Sequence, residues 1–182
     1  KVLSTGGDSS LGGDDFDKRI AKHIEKKLNL NLDEEKKHEL YLLAKEIKIM
    51  LTDDASVKVN LDKIGIKDKN IIITQNDFNE LIRDLVEKTL IISKQVLNDA
   101  KITIENIDEI ILVGGSTKTP YIKSMIRNYF KRKPLSDVNP DNVVAMGASI
   151  QADILSGNSA DELLLLDVIP LSLGIETMGD LV

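Results

Sequence analysis

The chain has 182 residues, a net charge of -6, 42% hydrophobic but only 3% aromatic residues, and no cysteine. That length holds one substantial core or two small ones, built here from Ile, Leu and Val. The composition excludes disulfides, thiolate metal sites and cysteine nucleophiles. Its acidic balance without a basic block disfavours nucleic acid, and no apolar run approaches the roughly 18 residues that span a bilayer.

Histidines occur only at His23 and His38, in separate helical segments, and both read as surface residues rather than a zinc site. The expectation is a cytoplasmic protein with no metal site of its own. Because the chain starts at Lys1 rather than Met and stops inside an apolar β-like pattern, it reads as a piece of something longer.

Val2–Thr5 reads as the end of a strand, followed by a turn at Gly6-Gly7-Asp8. Gly12-Gly13 precede a helix with Asp14, Asp15 and Asp17 in its first turn, where acids suit the dipole. Its apolar stripe is Phe16, Ile20, Ile24 and Leu28. A second helix runs from a cap at Asp33 to about Leu51, with Leu40, Leu43, Ala44, Ile47, Met50 and Leu51 on one face. Ser56–Leu61 and Asn70–Thr74 are strand candidates. Thr74 and Asp77 open a long helix as a capping box, with a wide apolar face from Leu81 to Leu97.

Glu109–Val113 reads as a buried strand and Pro120 to about Phe130 as a helix. Asn139-Pro140-Asp141 starts another helix that reaches about Ser156 and stops at Gly157. Gly147 sits inside that helix at a cost of about 1 kcal/mol relative to Ala. Close approach of a backbone or ligand would explain it, and so would tight helix packing. The segment 156–161 is linker-like and 162–168 strongly apolar, and 169–182 reads as strand, turn and strand, which puts a domain boundary near residue 158.

Ile111–Pro120, ILVGGSTKTP, carries the most chemistry. An apolar run stops at two glycines, two hydroxyl residues and a lysine follow, and Thr119-Pro120 start a helix as N-cap and first position. Glycines there let a ligand approach the backbone, and the N–H groups at the helix start face it. Anions gain roughly 0.3–1 kcal/mol each at such a place. A strand-to-helix turn that needs glycine only for packing remains the alternative.

Leu163, Leu164, Leu165 and Leu166 stand between Glu162 and Asp167. Full burial of each leucine is worth roughly 1.5–3 kcal/mol, so the run requires a groove or a sheet edge. Docking in one state and release in another would bias a two-state equilibrium, whose couplings are typically about 1–3 kcal/mol. The other reading is an ordinary buried strand.

Four stretches stand in a recognisable order and spacing: LGGDDFD (Leu11–Asp17), ILVGGSTKTP, VNPDNVVAMGASIQADIL (Val138–Leu155) and LLLLDVIPLSLGIETMG (Leu163–Gly179). Together they resemble the 70-kDa heat-shock protein chaperones over essentially the whole chain. Gln75–Ile82, Ile150–Asn158 and Asp167–Gly174 look most like the bacterial branch that serves iron–sulfur cluster assembly, with the general housekeeping branch as runner-up.

The resemblance implies an α/β fold: the second lobe of an actin-like (ribonuclease H-like) ATPase domain, with long helices and a β-sheet, over residues 1–158. An extended interdomain linker over 159–168 and the first strands of a β-sandwich peptide-binding domain over 169–182 would follow. It also implies ATP or ADP with Mg2+ as ligands of the longer protein. Implied partners are a J-domain co-chaperone and an iron–sulfur scaffold protein or unfolded client peptides.

Carried over residue by residue, Gly114, Gly115 and Ser116 match the family's loop against sugar and phosphates, and Asp141 matches the acid at the start of the next helix. Lys48 matches the lysine on the adenosine-contacting helix, and Thr52 stands in place of the usual serine. Lys45 replaces a ribose-binding glutamate and cannot accept a ribose hydroxyl. Lys118 replaces the arginine that stacks on adenine and lacks its planar guanidinium. Both departures count against tight nucleoside binding, and for Lys45 a solvated helix face is the plainer reading.

The resemblance assigns Leu163–Leu166 and Asp167 to an allosteric linker. The chain alone is expected to lack ATPase activity, because the catalytic and metal-positioning groups of the family belong to the other lobe. It is also expected to self-associate through the leucine run. A small-molecule kinase of the same fold lacks the Leu163–Gly179 motif, and an interaction module with a degenerate nucleotide site is the non-enzymatic alternative.

Overall fold

The computed structural model describes residues 2–135 and 142–157. Asp141, the leucine run Leu163–Leu166 and Asp167 lie outside the described residues, as does everything expected of 159–182.

Two helices open the chain, α1 (Gly13–Lys27) and α2 (Glu34–Met50). The sequence sets both. The α1 stripe Phe16, Ile20 and Ile24 is buried at i+4 spacing, and Asp33 caps α2 by accepting from Lys36 N at 2.8 Å. The two helices pack on each other through Leu40, Leu43, Ala44 and Ile47 of α2. Met50, expected on that face, is 39% exposed, while Leu51, the next residue, is fully buried.

Next come β1 (Ser56–Asn60) and β2 (Asn70–Thr74), an antiparallel pair running from Ser56 opposite Thr74 to Asn60 opposite Asn70. Period-2 alternation turns Val57, Val59, Ile71 and Ile73 into the core and leaves Lys58 and Ile72 outside. Leu61 leaves the strand earlier than expected. Asn60 Oδ1 accepts from Asp62 N at 2.8 Å and starts a 3-10 turn over Leu61–Ile64, which ends on Gly65 at φ 74°.

A 26-residue helix, α3 (Gln75–Ala100), follows without a break. Thr74 and Asp77 cap it reciprocally, as expected: Asp77 N donates to Thr74 Oγ1 (3.0 Å) and Thr74 N to Asp77 Oδ2 (2.9 Å). Phe78, Ile82 and Val86 bury against α1 and β2. Lys88 pairs with Asp8, and a Cβ on Gly6 would collide with Val96, so the chain start lies along α3. Then come α4 (Pro120–Phe130), packed on α3, and α5 (Val143–Leu155), which stops at Gly157 in the left-handed region and buries none of its residues.

Three expectations change. Neither Val2–Thr5 nor Glu109–Val113 is a strand, and Ile111 and Val113 are 53% and 43% exposed. A ladder needs a neighbour on at least one side. Ile110 O accepts one backbone bond, from Leu135 N at 2.9 Å, and among the described residues the β1–β2 pair is the only sheet. His23 is half-buried rather than on the surface, whereas His38 is exposed. Around Gly147 a Cβ would meet nothing within 4 Å among the described residues, so no described neighbour calls for that glycine. No helix of the described part is long and apolar enough to cross a membrane.

Candidate functional site

Beside its core face, α2 carries a second stripe. Lys45, Lys48, Ile49 and Thr52 follow i, i+3, i+4 and i+7, so they share one side of the helix and its last turn. Across from them stands the Gly-Gly turn. Gly114 adopts φ 88°, a region that side chains rarely enter, which is why glycine is needed there. Gly115–Lys118 then forms one 3-10 turn, held by Thr117 N (3.1 Å) and Thr117 Oγ1 (2.7 Å), both donating to Gly114 O. Pro120 takes the first position of α4 as expected, but the Thr119 hydroxyl makes no cap bond; the residue is 4% exposed and packs inward instead.

Between stripe and turn lies a cleft of about 450 Å³. Lys45, Lys48, Ile49, Thr52 and Asp53 line one side, and Gly115, Ser116, Lys118 and Thr119 the other. Five of the positions singled out in the sequence, Lys48, Thr52, Gly115, Ser116 and Lys118, thus meet around one space. Gly114 shapes the turn without lining the cleft. Lys45, whose plainer reading was a solvated helix face, is exposed and lines it too. A Cβ at Gly115 would meet nothing within 4 Å, so the space over the turn is open to a ligand. Three lysines line the cleft against Asp53, and with Lys48 paired to the buried Asp17 the remaining balance still favours an anion.

The sequence reading missed two residues behind the cleft. In the sequence Asp17 has only the helix dipole to explain it, yet it is fully buried and sits against Lys48, with carboxylate oxygens 2.8 and 2.9 Å from Nζ. Gly13 O accepts a further bond from Lys48 Nζ at 3.0 Å. A Cβ on Gly13 would stand 3.1 Å from that nitrogen and 2.9 Å from Ser116 Oγ. The i, i+4 spacing of Gly13 and Asp17 puts both acceptors on one face of α1, and that was the available signal. The first turn itself is fixed by Asp15, which accepts from Gly12 N at 2.9 Å. That backbone N–H, more than the neighbouring Lys18, holds the Asp15 carboxyl below its usual range.

A family model described as "Hsp70 protein" matches residues 1–182. The chain belongs to the Hsp70 family. This Hsp70-family chain is 47% identical over 184 residues to a "Chaperone protein HscA homolog" of Mannheimia succiniciproducens, covering all of the chain and 29% of that protein. It is 49% identical over 185 residues to proteins of the same description from Aliivibrio fischeri and Vibrio vulnificus, again with all of the chain and 29% of each relative covered. The chain therefore spans somewhat under a third of the length of the curated relatives it matches. Its helices and small antiparallel sheet fit the α/β architecture of an Hsp70 ATPase domain, whose family binds nucleotide.

Proposed function

We propose that residues 1–158 form the second, actin-like lobe of the ATPase domain of an ATP-driven chaperone, with the described cleft as one wall of its nucleotide site. Residues 159–168 are the interdomain linker and 169–182 the opening strands of a β-sandwich peptide-binding domain. The reading rests on the convergence of Lys48, Thr52, Gly115, Ser116 and Lys118 on one lysine-rich cleft. Asp141, proposed as a further contact, belongs to the same set.

In this reading the Gly114–Lys118 turn lies against sugar and phosphates, Lys48 and Lys118 neutralise charge, and the Thr52 hydroxyl supplies a donor. Thr52 Oγ1 is 3.5 Å from Lys48 O, too long to hold it firmly, so it is able to turn to a ligand. When bound, Mg2+ supplies charge neutralisation at the phosphates. Among the described residues no group of three or more His, Cys, Asp or Glu is placed to hold a metal. The longer protein hydrolyses ATP, and this chain by itself does not.

The likeness to HscA homologues favours maturation of iron–sulfur proteins, with a J-domain co-chaperone and an iron–sulfur scaffold as partners. General folding of unfolded clients is the second reading. Leu163–Leu166 with Asp167 transmit the nucleotide state, and in the isolated chain the same leucines drive self-association. The place of action is the cytoplasm.

Calorimetry of ADP and ATP with Mg2+ on the full-length protein tests the site, and tight binding is expected. No binding would turn the reading into an interaction module with a degenerate site, the alternative that Lys45 and Lys118 motivate. Leu164→Asp with Leu165→Asp tests the linker: ATP-stimulated client release is expected to be lost, and its survival unchanged would remove the linker role.

A further inference from the structure

We propose that Asp17 is the positioning residue of the cleft, holding the Lys48 ammonium in one place so that it meets a nucleotide as a directed donor rather than a mobile charge. The inference rests on the nucleotide reading of the cleft.

A lysine on a cleft wall normally swings on a flexible four-carbon stem, strongly hydrated and without preferred direction. Lys48 does not have that freedom. Its side chain is 16% exposed, and three acceptor oxygens stand within 3.0 Å of Nζ: Asp17 Oδ1 at 2.8 Å, Asp17 Oδ2 at 2.9 Å and Gly13 O at 3.0 Å. Oδ2 and the carbonyl accept hydrogen bonds. Oδ1 is the closest of the three and is buried without a hydrogen bond of its own. Two of the three ammonium hydrogens are thus spent on α1, and the third remains for the cleft that Lys48 lines.

Asp17 has no alternative. It is fully buried, and a buried carboxylate is tolerated only when it is paired and hydrogen-bonded. Its need for a cation therefore clamps Lys48. Gly13 sets the depth of the clamp. With no Cβ, its backbone fits between Lys48 Nζ and Ser116 Oγ, which a Cβ would approach to 3.1 and 2.9 Å. The first turn of α1 is in this way the backing of the cleft, and it brings one group from each side, Lys48 and Ser116, to the same point.

The test is a double-mutant cycle in the full-length protein, with ADP and Mg2+ titrated by calorimetry and folding followed by circular dichroism. Asp17→Asn keeps the shape and one acceptor but removes the charge. It is expected to weaken ADP binding about five- to tenfold. In a Lys48→Met background the same change is expected to cost nothing further, because there is no ammonium left to position. A purely structural Asp17 would cost the same affinity in both backgrounds, and that result overturns the proposal, as does unchanged affinity in Asp17→Asn alone. If the unsubstituted protein binds no ADP, the nucleotide reading falls first. Should Asp17→Asn not fold, Gly13→Ala carries the test, since its methyl displaces Lys48 and Ser116 and is expected to weaken ADP several-fold; unchanged ADP affinity in folded Gly13→Ala overturns the clamp.

Discussion

Phe16 of α1 and Phe78 of α3 meet edge to face, with ring centroids 6.3 Å apart and planes at 75°. Both are buried, and Phe16 is the residue before Asp17. The ring pair therefore fixes the turn of α1 that carries the cleft's buried carboxylate. Phe78→Ala removes the partner ring and leaves a cavity, at an expected cost of about 3–5 kcal/mol in a urea unfolding curve. An edge-to-face contact supplies roughly 0.5–1.5 kcal/mol of that. A loss below about 1 kcal/mol would mean that the space collapses and the pair does not anchor α1.

Much of this was legible in the sequence because local signals agreed. The Asp33 cap, the β1 and β2 alternation and the Thr74–Asp77 box each depend on residues within one element, and each appears at its expected position. So does the meeting of α2 with the Gly-Gly turn, though only the motif likeness, not periodicity, put those two segments together. The strand expected at Glu109–Val113 does not form, because an apolar run states that burial is wanted, not which neighbour provides it. Asp17 failed for a related reason. A carboxylate in a first helical turn has a sufficient local explanation in the dipole, and only the fold reveals that Lys48, on another helix, is its partner.

The capping box offers a second measurement. Thr74→Ala removes the hydroxyl that accepts from Asp77 N and donates to Asp77 Oδ2 at 2.7 Å. The expected loss is about 1 kcal/mol, or roughly 2–4 °C in melting temperature for a chain of this size. Thr74 N–H, then its hydroxyl, hold the Asp77 carboxyl below its usual value of 3.8. A depressed carboxyl stabilises the fold above its unfolded value, and that contribution is lost as pH falls below about 3.8. Thr74→Ala should therefore narrow the gap in stability between neutral and strongly acid pH, read from urea midpoints; an unchanged gap would show that the hydroxyl has no part in setting the Asp77 ionisation, leaving it to the backbone N–H.

His23 predicts a separate pH window. Its Nε2 is buried without a hydrogen bond, and burial, reinforced by Lys27 and opposed by Asp77, pushes the imidazole below its usual 6.5. The fold thus favours the neutral ring while the unfolded chain protonates near 6.5. As pH drops below that value the unfolded state takes up the proton first, and stability falls until the folded histidine titrates as well. His23→Leu should flatten stability between pH 7.5 and 5.5, while His38→Leu, at an exposed site, should not. An equal slope in the unsubstituted and His23→Leu proteins would assign the effect elsewhere.

The two lysines that depart from the family resemblance make the nucleotide reading quantitative. Lys118 lines the cleft but presents a point charge, and a guanidinium in its place would lay a flat cation on the adenine base. Lys118→Arg in the full-length protein should tighten ADP about two- to fivefold, the size of an exposed cation–π contact. Lys45→Glu acts differently. It supplies an acceptor for a ribose hydroxyl but removes one of three lysines in the lining. Adenosine, which carries no phosphate, should therefore gain affinity, while ADP gains less or loses. Calorimetry with both ligands separates the terms. If adenosine binding is indifferent to position 45 and ADP to position 118, these side chains do not face the nucleoside, and the base and sugar lie elsewhere than on this wall.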